Sequence, residues 1–203
     1  MLKSLPPATR AILVANVLLY AIYVLLGPYG QAYSARLALW PIQSRSFEVW
    51  QLVTYSFVHE GFLHLFFNMF ALYMFGRALE AQWGARNFLV YYFSSVLAAA
   101  ATQIAWTTLT QTYVPTVGAS GGVFGVLLAF ALLYPREKLM LIFPPIPMPA
   151  WLFVSLYGVM ELFLGVTNSQ QGVAHFAHLG GMVGGALVFA VWGTLKPARR
   201  SRE

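Results

Sequence analysis

The stretch Ala174-His175-Phe176-Ala177-His178-Leu179-Gly180-Gly181-Met182-Val183-Gly184-Gly185 runs on through apolar residues to 195, and its only ionisable side chains are two histidines. A helix of about 20 such residues crosses a hydrocarbon core of about 30 Å. Five more apolar runs precede it, at 8–27, 61–79, 87–109, 119–134 and 148–166. A chain that is 59% hydrophobic and 9% charged has too little polar surface to cover itself in water. The reading is an all-α membrane protein of six transmembrane helices. Its 203 residues form one bundle without appended domains, with a core over about 45–195.

The basic residues orient it. With the N-terminus in the cytoplasm, Lys3, Arg10, Arg77, Arg86, Arg136, Lys138, Lys196, Arg199, Arg200 and Arg202 fall at cytoplasmic ends, and only Arg36 and Arg45 fall outside. Ten of twelve on one side supports six spans with both termini in the cytoplasm. A signal peptide ending near Ala32-Tyr33-Ser34 would break that parity. A plain six-span chain of this form suits a prokaryotic plasma membrane. The long external connection 28–60 carries Trp40 and Trp50, residues suited to the headgroup interface. Four prolines in Phe143-Pro144-Pro145-Ile146-Pro147-Met148-Pro149 exclude a helix interior there.

Several functions are excluded at once. With no cysteine, disulfides, thiolate metal sites and a cysteine nucleophile are ruled out. The net charge of +6 is scattered in short clusters between apolar runs, which speaks for membrane orientation and against a nucleic-acid partner. His59 and His64 stand at i and i+5, rotated about 140° apart on a helix, so they do not make the zinc-protease pair at i and i+4. No metal or other cofactor is expected. A transporter is disfavoured because Glu161 is the only buried acid and no broken helix recurs.

Polar side chains inside apolar spans are costly and are functional candidates by default. Here they are His64, Asn68, Ser120, Glu161, His175 and His178. All six acids are glutamates, so serine chemistry has to use a dyad or a glutamate. Ser120 lies in Gly118-Ala119-Ser120-Gly121-Gly122 at the opening of span four, where unpaired N–H groups and the helix dipole favour a developing oxyanion. The same glycines also suit tight helix packing. Gly181 and Gly185, at i+3 and i+7 from His178, share its face of span six. Packed against Gly121 and Gly125 of span four, that face brings His178 to Ser120, both spans running inward from the same depth. His64 and Asn68, four residues apart on one face of span two, are candidate oxyanion donors or an interhelical hydrogen-bond pair.

Over about residues 45–190 these motifs resemble the rhomboid family of intramembrane proteases. The family's His-x-x-x-Asn is similar to His64 to Asn68, its Gly-x-Ser-Gly to Gly118-Ala119-Ser120-Gly121, and its Ala-His-x-x-Gly to Ala177-His178-Leu179-Gly180-Gly181. Gly76, Glu80 and Gly84 keep a further family spacing. The resemblance implies a Ser120–His178 dyad without metal, oxyanion donors at His64 and Asn68, and cleavage of transmembrane protein substrates in or near their spans. It makes His178 the base, with His175 assigned no role, in a second layer or facing solvent. Two positions depart from the pattern. Trp50-Gln51 stands where Trp-Arg is common, which removes an arginine that would brace the external loop, and Phe124 stands where tyrosine is frequent. The ring of Phe124 can still pack against His178 but carries no hydroxyl. The alternative is a catalytically silent relative that binds membrane helices, against which the retained serine and histidine speak. Nothing in the sequence sets an oligomeric state.

Overall fold

Proline at the first helical position forgoes only an N–H that would lack a helical partner anyway, and Pro7 starts α1 (Pro7–Leu25) in this way. The computed structural model describes residues 5–141, 144–167, 169 and 172–192. After Gly27, at φ 54°, a second proline opens α2 (Pro28–Leu37). The short α3 (Gln51–Thr54) and a 3₁₀ turn over Tyr55–Phe57 lead to a long helix over Phe62–Trp83. That helix comprises α4 (Phe62–Ala71), a π-helical turn over Leu72–Gly76 and α5 (Arg77–Trp83). Gly84, at φ 78°, turns the chain into α6 (Ala85–Thr110). Then come α7 (Ser120–Leu133), a hairpin of β1 (Lys138–Met140) and β2 (Pro147–Pro149), α8 (Ala150–Thr167) and α9 (His175–Trp192).

Five of these helices have at least 18 residues and are apolar enough to cross a membrane, and α7 is a shorter apolar helix of 14 residues. They match the six predicted runs to within a few residues, with the last run's final residues, 193–195, outside the described part. The length of α7 is about 21 Å, short of a full hydrocarbon core. It is also the helix most enclosed by the others, burying Gly121 through Leu127 without a break. The protein is thus an all-α membrane bundle built around a short central helix.

The prolines mark this connection only as non-helical, and part of it is a hairpin. Lys138 pairs with Pro149 and Met140 with Pro147, while the Ala150 N–H reaches the Glu137 carbonyl at 2.8 Å and leads into α8. Proline is tolerated because a two-stranded ribbon consists only of edge strands.

Two buried polar side chains fix the elements around the core, and one of them, Glu80, is a second buried acid where Glu161 was expected to be the only one. Glu80 accepts from the N–H groups of Ala8 and Thr9 at 2.8 and 2.6 Å and from the Thr9 hydroxyl at 2.7 Å, so a carboxylate of α5 satisfies the first turn of α1. Glu80→Ala leaves those donors buried and unpaired. A loss of about 2–4 kcal/mol is expected, read as a lower melting temperature in detergent.

Gln51 does for the connection around α2 and α3 what the missing arginine was expected to do. Buried to 1% exposure, it accepts from the Trp40 N–H at 3.1 Å and donates to the carbonyls of Arg36 and Ser46 at 3.1 and 2.9 Å. One neutral amide closes the loop because it both gives and takes. Gln51→Leu removes all three bonds, and a loss of about 2–3 kcal/mol is expected, with faster limited proteolysis between 38 and 50. The aromatics of the same connection divide by exposure. Tyr29, Tyr33 and Trp50 are exposed, whereas Tyr55 is buried and donates to the Val96 carbonyl at 2.8 Å.

Trp83 meets Trp192 edge to face, at the far end of α9 from His178. The start of α1 and the α5–α6 turn, with Arg10, Arg77 and Arg86, therefore gather at the end opposite Ser120. The basic residues Lys3, Lys196, Arg199, Arg200 and Arg202 lie outside the described residues.

Candidate active site

Small residues decide how near α7 and α9 can come. A Cβ on Gly181 would run into the carbonyl of Gly121, one on Gly125 would lie 3.0 Å from the Gly181 carbonyl, and one on Gly185 would lie 3.2 Å from the Gly125 Cα. The two backbones touch through the faces that the glycine spacing picked out. This contact levels the N-terminal turns of both helices and brings His178 Nε2 to 2.8 Å from Ser120 Oγ. His178 is 9% exposed and Ser120 partly buried, so the pair is mostly shielded while the hydroxyl stays reachable.

Phe124, one turn after Ser120, stacks on the His178 ring at 4.3 Å between centroids and 8° between planes. Tyr157 of α8 stacks behind Phe124 at 5.4 Å. The parallel stack resists tilting of the imidazole out of its plane.

The turn before Ser120 is held from three sides. Leu39 and Thr116 exchange backbone bonds at 2.9 Å, the Gly118 N–H reaches the Tyr55 carbonyl at 3.0 Å, and the Ala119 N–H reaches His59 Nε2 at 3.4 Å. Burial, with His64 adding to it, pushes His59 down to about 3. It is therefore neutral at pH 7 and Nε2 can accept. Gly118 has φ 121°, and a Cβ there would lie 2.7 Å from His64 Nε2. Only glycine fits both the backbone angle and the ring above it.

The candidate oxyanion residues are thus placed differently. The His64 ring stands over the Gly118–Ser120 turn, next to the helix N-terminus. Asn68 is buried, and its Nδ2 donates to the His64 carbonyl one turn back at 2.8 Å. That bond uses one amide proton and leaves the second. Among the described residues neither side chain bonds to Ser120.

Glu161 was named from the sequence as a buried acid without a task. In the structure its Oε2 lies 2.8 Å from His178 Nδ1 and 2.7 Å from His175 Nδ1. The expectation that His175 lies in a second layer holds, but it does not face solvent. It is 5% exposed, and its Nε2 is buried without a partner among the described residues. One donor atom each from Glu161, His175 and His178 lie within 4.8 Å of one another, a set chemically able to hold a cation, though the two ring-to-carboxylate bonds already account for the arrangement. The sequence signal for it was Glu161 itself, a lone acid in an apolar span, with two histidines one turn apart at the start of the next span.

The family model described as Rhomboid domain matches residues 46–194. This chain belongs to the rhomboid family. Rhomboid protein 1, mitochondrial, of Saccharomyces cerevisiae is 34% identical to it over 150 residues, 73% of this chain and 42% of that one. Rhomboid protease GluP of Bacillus subtilis is 30% identical over 149 residues, 73% of this chain and 27% of that one. Rhomboid-like protein 11, chloroplastic, of Arabidopsis thaliana is 31% identical over 157 residues, 72% of this chain and 53% of that one. This rhomboid chain therefore spans about half or less of the length of these relatives. By name the family holds both proteases and members called only rhomboid-like. Two of the three names are organellar, so the expectation of a prokaryotic plasma membrane gains no support from them.

Proposed function

We propose that this rhomboid chain is an intramembrane serine endopeptidase that cuts transmembrane protein substrates in or near their spans. The observation that carries the reading is the 2.8 Å contact of His178 Nε2 with Ser120 Oγ at the N-terminus of α7. It joins a base, a nucleophile and a helix end suited to negative charge in one shielded place.

In the proposed reaction the Ser120 hydroxyl oxygen bonds to the substrate carbonyl carbon as its proton passes to His178 Nε2. The carbonyl oxygen becomes an oxyanion, held by N–H groups of the first turn of α7 and by His64 and the free amide proton of Asn68. The carbon–nitrogen bond then breaks, and His178 returns the proton to the leaving amine. Water attacks the resulting ester with His178 again as base, releasing the carboxylate product and restoring Ser120. Water enters from the Ser120 end, which the charge pattern assigns to the external face. The substrate segment carries small or helix-breaking residues near the cut, since a hydrogen-bonded helix cannot present an extended peptide bond.

The test is purified protein in proteoliposomes with a single-span reporter, its products mapped by mass spectrometry. Cleavage at the external end of the reporter's span, together with labelling of Ser120 by a fluorophosphonate, is the expected result. Reporter held by the protein but left intact, with Ser120 unlabelled, would overturn it in favour of a silent helix-binding relative.

A further inference from the structure

Of all the spans, α8 buries the least of itself. Its buried residues are Ala150, Val154 and Gly165, all small or apolar, and Glu161, which is 4% exposed. An acid on such a helix is expensive wherever it sits. Here its carboxylate is aimed into the bundle, at the side of the imidazole that Ser120 leaves free. Its Oε2 takes both histidine Nδ1 atoms, His178 at 2.8 Å and His175 at 2.7 Å.

The helix contact is shaped for this. Gly165, one turn after Glu161, gives the start of α9 room, since a Cβ there would lie 3.1 Å from His175 Cβ and 3.1 Å from the Phe176 ring. Phe176 stacks on Trp106 of α6 at 3.8 Å, which pins the first turn of α9 from the other side. His175 and His178, three residues apart, then present their Nδ1 atoms to one oxygen.

The chemistry follows from what each atom can do. A carboxylate only accepts, so His178 Nδ1 carries the proton, and in the neutral ring Nε2 is then bare. A bare Nε2 at 2.8 Å from Ser120 Oγ is what a base for that hydroxyl requires. When Nε2 takes the proton, the imidazolium faces a carboxylate in a poorly solvated site, and the charge is offset where it forms. His175 gives the same oxygen a second N–H and so holds the carboxylate still.

We propose that Glu161 is a positioning residue of the reactive centre, completing a Ser120–His178–Glu161 relay in which His175 is the second clamp on the carboxylate. The inference rests on the protease reading and changes its dyad into a triad built with glutamate.

Glu161→Gln keeps the shape and removes the charge. It is expected to lower kcat by about 100-fold and fluorophosphonate labelling to a similar degree, with KM within about threefold of wild type. A Glu161→Gln protein that folds and keeps kcat within about threefold overturns the inference. Should that variant not fold, ¹⁵N-histidine NMR of the wild type decides. The Nδ1–H tautomer of His178 is expected, and an Nε2–H tautomer overturns the inference. Copurified zinc with activity lost on chelation also overturns it, by making Glu161, His175 and His178 ligands. The two readings fail separately. An active, Ser120-dependent wild type beside an unaffected Glu161→Gln removes only the relay, whereas an inert wild type removes both.

Discussion

Ser120→Ala is expected to lower reporter cleavage by about 10⁴-fold or more, to the background of the assay, and to abolish fluorophosphonate labelling. The substitution deletes one oxygen at a site where the hydroxyl is the only nucleophile within hydrogen-bond reach of His178 Nε2 among the described residues. It leaves the glycine contact between α7 and α9 intact, because that contact runs through Gly121, Gly125, Gly181 and Gly185. Reporter binding and melting temperature should therefore stay close to wild type. His178→Ala should cost as much in cleavage, since groups that act as a unit are not additive, and the double variant should be no worse than either single one. Ser120→Ala protein that still cleaves within about tenfold of wild type would remove Ser120 from the reaction.

Gly181→Ala is expected to be the most damaging single methyl group in the bundle. Its Cβ would be directed into the Gly121 carbonyl, with the Gly121 Cα only 3.1 Å away, so the obstacle is backbone and no rotamer relieves it. Helices α7 and α9 have to separate, at a cost of about 3 kcal/mol or more. Because Ser120 and His178 sit on the two helices being separated, any folded fraction should also lose about 100-fold in turnover, the usual consequence of displacing a reacting pair by about 1 Å. Gly158→Ala is the matched control. Its Cβ would meet only the flexible end of Met182, at 3.4 Å from Cε, and should be tolerated. Thermal unfolding in detergent with cleavage rates for both variants tests the pair of expectations. Equal melting temperatures for them would contradict the close-contact account.

Much of this was legible in the chain because lipid simplifies the code. A span announces itself by composition, and the six helices lie within a few residues of the apolar runs. The meeting of Ser120 and His178 was legible for a second reason. Glycines at fixed intervals mark the faces where two backbones can touch, so they set how α7 and α9 rotate as well as where they lie. No such mark exists on α8. Its apolar residues point all round, so the sequence does not tell which way Glu161 faces, and its partners lie 14 and 17 residues on, across a connection. Gln51 shows the limit of comparing residue types. Read as a lost arginine it left the loop without its expected brace, yet the loop needs one acceptor and two donors, and an amide supplies all of them. The β1–β2 hairpin was hidden because proline argues against strands in general and only weakly against an isolated ribbon.

The bond from Glu80 to the first turn of α1 bears on how portable the domain is. The family match begins at residue 46, but a carboxylate inside the matched region depends on N–H groups at residues 8 and 9. The segment that can be recognised and the segment that can stand alone are therefore not the same. A graft or fusion joined at residue 46 would leave Glu80 as a buried acid without these hydrogen-bond partners. Such a chimera needs either a new helix start delivered to that oxygen pair or an apolar residue in its place.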